Sequence, residues 1–559
     1  MIDQNARGVN MSKIFQLISI FLTGFFISTV SLSQEYDIVI RGGKVLDGAG
    51  NPWVKADVAI KDGKFAHIGI VKVTGAREID ASGHFVSPGW IDMMDQSGQV
   101  LRTHPRAENK LFMGVTTAIG GEGGTPVDTG EIRDYFAKLE TQGIGINFGT
   151  YYNIGQPRAA IYGEGDGDAS PFQIIEMQAL VREAMEAGVM GLSSALIYPP
   201  NAYINTETII ALAKASAPYG GIYASHMRSE SRELVKAIEE VITISEEGGV
   251  RAEIFHLKNA FAPNWGTEVH KAIDVIRAAR ARGVDIAADQ YPYVAGGTGL
   301  DATMPQWIFA KGTAQALENI MKPDVRSRMK KDLFDPEMDS LIASSGGWKN
   351  VVLANSHLDE YARFHNMNFE DIGKELGLDP ADVSWDIFVK AATLKNDAGE
   401  PEGKRAMALF FMMAEEDVKT FMVEPWVSIG SDAGAASNFG QVDGLGLPHP
   451  RSYGTFPRII AKYVRDDGVL TLPDAIRKMT SWPAERMRMN DRGVIREGMW
   501  ADVVIFNYDT IEDTATWENP VETPKGIPYV LVNGEVVIDN GTHTGALPGH
   551  VIYGAGKKN

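Results

Sequence analysis

Two histidines and one aspartate occupy the positions where chemistry is easiest to build. His226 closes the run "GGIYASH", His256 closes "RAEIFH" and Asp432 closes "WVSIGSD". Each follows a stretch of strand-like composition. Residues two apart in a strand point the same way. Ile222, Ala224 and His226 are therefore expected on one face, Ala252, Ile254 and His256 on another, and Ser428, Gly430 and Asp432 on a third. The histidines lie 30 residues apart with one helical pattern between them. That is the length of a β-α-β step, which predicts neighbouring parallel strands. Two neutral imidazoles converging at adjacent strand ends begin a zinc site, and zinc takes at least three protein ligands. The chain has no cysteine, so a carboxylate is the expected third. Singly each residue has a plain structural reading: a hydrogen-bonded histidine, or an aspartate forming a turn. Together they point to a metal site at strand ends.

The other histidines are weaker candidates. His67 and His84 fall in a β-rich segment and His270 in a helical one. His357 follows a strand-like "VVLANS" and is a reserve candidate. His449 sits in the loop-like "GLPHPRSYGTFPR", just beyond Asp432.

Positioning such residues requires a scaffold of strand ends. Eight strand-like runs occur in order: "GWIDMMD", "TTAIGGEG", "GINFGTYYN", "GVMGLSSAL", "GIYASHMR", "RAEIFHLK", "DIAADQYPY" and "PWVSIGSDAG". Amphipathic helical patterns such as "SRELVKAIEEVITISEEG" and "EVHKAIDVIRAARARG" separate several of them. This alternation predicts an α/β fold of the (β/α)8 TIM-barrel type, with the site at the C-terminal strand ends. No glycine-rich dinucleotide fingerprint follows an early strand, which weakens an open doubly wound sheet. Alternating strands with glycine turns at both ends ("YDIVIRGGKVLDGAG", "YVLVNGEVVIDNG") predict one small β-sandwich domain closed from both termini. The expected boundaries are 34–87 and 486–559 for that domain and 88–485 for the barrel. A helical insert at about 299–350 is expected over the barrel mouth.

The 559 residues carry a formal net charge of −19, with 44% apolar and 22% charged residues. The composition is that of a globular protein, and the acidic balance disfavours nucleic-acid binding. Lys13 followed by an apolar run from Ile14 to Leu32 predicts a signal peptide over residues 1–33. A secreted or periplasmic protein follows, with no stable membrane insertion after cleavage. A small-molecule substrate is the expected partner; the oligomeric state is left open.

Several segments are similar to those of a known family. "SPGWID", "GVTTAIGGEGG", "GLSSALIYPP", "YASHMRSE", "FHLK", "DQYPYVAGGT", "IGSD" and "HPRSYGTFPR" resemble, in order, the D-aminoacylases (N-acyl-D-amino-acid deacylases) of the amidohydrolase superfamily. The resemblance implies zinc-dependent hydrolysis of an N-acyl amide, with one tightly bound ion. It implies His226 and His256 as zinc ligands. Asp432 is implied as the base that takes a proton from the attacking water and returns it to the leaving amine. Lys258 and Tyr291 match positions that bind the substrate's carboxylate, and Arg451 joins them as a candidate substrate-binding residue. Two departures bear on mechanism. The paired-histidine motif after "PGxID" maps to Met94, Asp95 and Gln96, so the outer metal position is expected to be lost. The family's cysteine ligand maps to Gly123, and the adjacent Glu122 is the only acidic side chain in that turn. The expected set is Glu122, His226 and His256. Gly297, where the family often has serine, departs at the substrate-carboxylate contacts. Dipeptides, cyclic amides or lactones as substrates stay open, as does a decayed barrel that only binds.

Overall fold

The computed structural model describes residues 35–396, 399, 402–436 and 448–558; the expected leader lies outside them. Each of the eight strand-like runs holds a strand: β1 (Trp90–Asp95), β2 (Val115–Gly120), β3 (Asn147–Thr150), β4 (Gly191–Ala195), β5 (Ile222–His226), β6 (Arg251–Ile254), β7 (Ile286–Gln290) and β8 (Val427–Ile429). Neighbours in sequence are parallel neighbours in space. β1 pairs β2 and β2 pairs β3. A two-residue continuation of β3, Tyr152–Asn153, pairs β4. β4 through β8 then follow one another. A parallel bridge between Asp95 and Ala433 joins the end of β1 to the chain just past β8. Every residue of β1, β2, β4, β5 and β7 is buried. Parallel strands covered on both faces require this, and it explains why these runs do not alternate cleanly between buried and exposed residues.

Helix α1 (Leu234–Gly248) links β5 to β6. It buries Leu234, Ala237, Ile238, Val241 and Ile242, spaced at three and four, and ends on left-handed Gly249, whose φ is +67°. Helix α2 (Glu268–Ala281) links β6 to β7 through Val269, Ala272, Ile273 and Ile276. The first crossover sets β5 beside β6 and so brings His226 next to His256.

The path to His256 differs from simple alternation. The register pairs Ala224 with Glu253 and Ser225 with Ile254. Side-by-side residues in a parallel pair face the same way, so Ile254 lies opposite the His226 face. Ile254 packs in the helix-side core, whereas Phe255 packs with Ile222 and Ala224. Strand β6 ends at Ile254, and the chain turns through a left-handed His256 (φ +36°). That turn, not strand phase, delivers the imidazole to the site.

Between β7 and β8 the chain makes one long excursion. A helical interval of Thr313–Ile320, Pro323–Asp332 and Leu341–Ser344 lies within it. It belongs to a larger unit built on an antiparallel sheet of Ala295–Gly299, Met407–Phe411 and Val351–Asn355. "VVLANS" is thus a strand of the excursion, and His357 beyond it does not stand at a parallel strand end. The terminal segments join in one nine-stranded sheet, through antiparallel pairing of Phe85–Pro88 with Val503–Phe506. Among the described residues no helix is long and apolar enough to cross a membrane.

A buried ion cluster locks β1 to the chain after β8. Lys110 is fully buried, with its Nζ 2.9 Å from Asp92 and 2.7 Å from Asp95. It also donates to Ser431 Oγ at 2.9 Å and to the Ala433 carbonyl at 2.6 Å. Burial works against charge on Lys110, but the two carboxylates outweigh it and keep the ammonium protonated. Lys110→Met leaves two buried carboxylates without a cation, so unfolding should become easier by about 3–5 kcal/mol. Chemical denaturation of both chains checks this; an unchanged midpoint would count against the cluster as a lock.

Candidate metal centre and active site

All seven site residues named from sequence, Glu122, His226, His256, Lys258, Tyr291, Asp432 and Arg451, line one cavity of about 860 Å³ at the C-terminal strand ends. Three of them converge. His226 Nδ1 is 2.7 Å from Glu122 Oε1, and His256 Nε2 is 3.5 Å from the same oxygen. The imidazoles stand nearly perpendicular, 83° apart, with centroids separated by 4.4 Å. The three ligand-type atoms lie within 4.8 Å of one another, a group that could hold a metal ion.

Local backbone explains the convergence. Glu122 rides a turn after β2 whose Gly121 and Gly124 have φ of +99° and +93°. A Cβ on Gly121 would come within 2.5 Å of Thr150 Oγ1, and one on Gly124 within 2.0 Å of Gln156 Oε1. Only glycine gives the turn this shape. His256 and Asp432 are both non-glycine residues with positive φ, +36° and +50°. Such backbone persists where surrounding bonds hold it. The His256 N–H donates to Asp289 Oδ1 at 2.8 Å, and the Asp432 N–H donates to the Met94 carbonyl at 2.8 Å.

The remaining ring nitrogens approach one carboxylate, although His226 Nε2 makes no hydrogen bond to it. His256 Nδ1 lies 3.0 Å from Glu230 Oε1, and His226 Nε2 lies 3.4 Å from Glu230 Oε2. Glu230 also receives Lys258, whose Nζ is 2.8 Å from His256 Nδ1. A carboxylate behind the ring is the usual means of fixing a ligand histidine's tautomer and orientation. Sequence reasoning did not single out Glu230. It lies past the end of β5, where strand phase gives no guidance; its only signal was its place inside "YASHMRSE".

Charge follows geometry. Burial pushes the Glu122 carboxyl up, but hydrogen bonds and charge from the two imidazoles outweigh it and hold it well below the usual range. Burial and Lys258 push His256 down; Glu230 and Glu122 outweigh them and lift it to about 10. A metal must displace that proton, since only neutral imidazole ligates. Burial raises Glu230 as well, yet His226, Lys258 and His256 together hold it below the usual carboxylate range.

Asp432 stands beside this group. Its Oδ2 pairs with Arg451 Nη1 at 2.8 Å, and its Oδ1 accepts from Gln96 Nε2 at 3.3 Å. The Arg451 guanidinium lies 4.7 Å from the Tyr291 ring centroid and donates to the Gly297 carbonyl at 3.2 Å. Burial lifts Tyr291 well above the usual phenol range, leaving it a neutral hydroxyl. His449 braces Arg451 by accepting its backbone N–H at 2.9 Å, while His449 Nε2 lies 2.8 Å from the Ala295 carbonyl. Burial and Arg451 hold His449 well below its ordinary value, so it is neutral.

The amidohydrolase family model matches residues 416–538. A D-aminoacylase of Alcaligenes xylosoxydans xylosoxydans is 30% identical over 543 residues, spanning 93% of this chain and 98% of that protein. The chain belongs to the D-aminoacylase family. It is a metal-dependent amidohydrolase. An N-acyl-D-glutamate deacylase from the same organism is 29% identical, with 90% of this chain and 94% of that protein covered. The structure of an N-acyl-D-glutamate deacylase from Bordetella bronchiseptica, complexed with zinc and a phosphonate mimic of the tetrahedral intermediate, matches with a TM-score of 0.76. That match has 27% identity and covers 93% of this chain and 99% of the other. The α/β fold is therefore that of the solved D-aminoacylase-type structures.

Proposed function

We propose that this chain hydrolyses the amide bond of N-acyl-D-amino acids using one zinc ion held by Glu122, His226 and His256. The observation that carries the reading is the convergence of His226 Nδ1, His256 Nε2 and Glu122 Oε1, with Asp432 alongside. Two neutral nitrogens and one anionic oxygen suit zinc with an open fourth position. When bound, such an ion polarises a carbonyl and lowers the pKa of water. The rest falls to the chain's own groups. Asp432 accepts a proton from the attacking water on a carboxylate oxygen and returns it to the leaving amine nitrogen. Arg451 and Gln96 orient that carboxylate. Lys258, Tyr291 and Arg451 surround the place for the substrate's carboxylate.

The fold supports this reading at a finer level. The eight parallel strands, with the Asp95–Ala433 bridge between last and first, read as a closed (β/α)8 barrel. Ile40, Val58 and Ile60 share a core with Val503, Leu531 and Val536, which favours a terminal sheet folded on itself as a β-sandwich.

Cavity chemistry favours a neutral side chain on the substrate. Lys258 and Arg451 are assigned to the substrate's own α-carboxylate, and the other Lys or Arg of the described lining, Arg405, pairs with both oxygens of Asp301 at 2.9 and 3.0 Å. No described Lys or Arg of the cavity is left for a second carboxylate on the side chain. Met407, Leu409 and Met412 supply apolar wall. Purified protein should contain about one equivalent of zinc and lose deacylation on chelation. It should cleave N-acetyl-D-leucine or D-methionine faster than the L-forms and faster than N-acetyl-D-glutamate. A protein without metal and without chelator-sensitive deacylation would end the proposal.

A further inference from the structure

Gln96 stands between the proposed ligand and the proposed base. Its Nε2 lies 2.6 Å from Glu122 Oε2 and 3.3 Å from Asp432 Oδ1. A primary amide has two N–H donors and no charge, so one can go to each carboxylate. The oxygens of Glu122 are thereby divided: Oε1 faces the two imidazoles and Oε2 accepts from Gln96. The oxygens of Asp432 are divided too, between Gln96 and Arg451. The backbone adds a second tie: the Gln96 N–H donates to the Ala433 carbonyl at 3.2 Å, beside Asp432.

We propose that Gln96 is a positioning residue that keeps Glu122 a one-oxygen ligand and fixes Asp432 beside the metal centre, joining ligand and base through a neutral amide. The proposal rests on the metal-centre reading above. Without the amide, Glu122 Oε2 and Asp432 Oδ1 face one gap with no donor from residue 96 between them. Two carboxylates so placed repel, or gather a cation. Gln96 fills that role without charge, which makes the centre complete with one metal. An acid at position 96 would bring a third carboxylate to the same gap and turn it into a cation site of oxygen ligands.

The test uses full-length zinc and cobalt forms of wild type, Gln96→Leu and Gln96→Glu. Gln96→Leu removes both donors from a half-buried side chain at the cavity wall. Its kcat should fall about 10- to 100-fold with KM little changed and one equivalent of metal retained. Its cobalt absorption spectrum should shift, because the freed Glu122 Oε2 can enter the coordination sphere. Gln96→Glu should take up a second equivalent of divalent cation where wild type takes one. A Gln96→Leu enzyme with wild-type kcat and spectrum overturns the inference, as does a Gln96→Glu enzyme that binds a single equivalent. Should Gln96→Leu fail to fold, the stoichiometry of Gln96→Glu decides alone. Wild type that is metal-loaded and active, with unresponsive variants, overturns this inference only; wild type without metal overturns it together with the metal-centre reading.

Discussion

His256→Ala should give a folded chain that retains no metal through gel filtration and loses deacylation by more than about 10³-fold, since a metal's stabilisation of developing charge is worth several kcal/mol. The expectation follows from how few ligand atoms there are. Only Glu122, His226 and His256 converge among the described residues, so removing one leaves two, below what zinc needs for tight binding. Folding should survive because the groups behind His256 stay paired: Glu230 keeps Lys258 and the left-handed turn keeps its bond to Asp289. Metal content by mass spectrometry, beside circular dichroism and a thermal midpoint, separates metal loss from unfolding. Wild-type metal content in His256→Ala would remove His256 from the ligand set.

The sequence made the scaffold legible where burial leaves a compositional mark. The eight strand runs show no solvent-facing alternation, because parallel strands between core and helices are buried on both faces. His226 was legible because β5 runs straight through it. His256 was legible as a residue but not in its geometry, since alternation cannot reveal a left-handed turn at φ +36°. Glu122 came from resemblance: the glycines around it signal a tight turn but not where that turn points. The roles of Glu230 and of Gln96, a residue noted only as a lost ligand position, were hidden for a common reason. Their roles are set largely by partners on other segments, Glu230 by His256 and Lys258, Gln96 by Glu122 and Asp432. No local pattern encodes such partners. Composition alone does not reveal the extent of the excursion, because Val351–Asn355 has the composition of a parallel strand while pairing antiparallel to Met407–Phe411.

Asp432→Asn should lower kcat by about 10²- to 10⁴-fold without lowering metal content. This separation of readouts distinguishes a base from a ligand. Asp432 is held outside the converging triad by three bonds: its N–H to the Met94 carbonyl, Oδ2 to Arg451 and Oδ1 to Gln96. Asparagine keeps the volume and one acceptor oxygen, so the strained backbone has the same neighbours. What it lacks is a carboxylate that can receive a proton. It also leaves Arg451 without its anion. A guanidinium so released, still over Tyr291, is free to pair with a substrate carboxylate, so KM should fall or hold rather than rise. A fall in kcat with unchanged metal and unraised KM therefore marks a group that acts in the proton transfer and not in binding. If metal is lost along with activity, Asp432 is a ligand. If kcat drops by less than about tenfold, the proton goes elsewhere, and Glu122, whose Oε2 faces the same amide of Gln96, becomes the group to test.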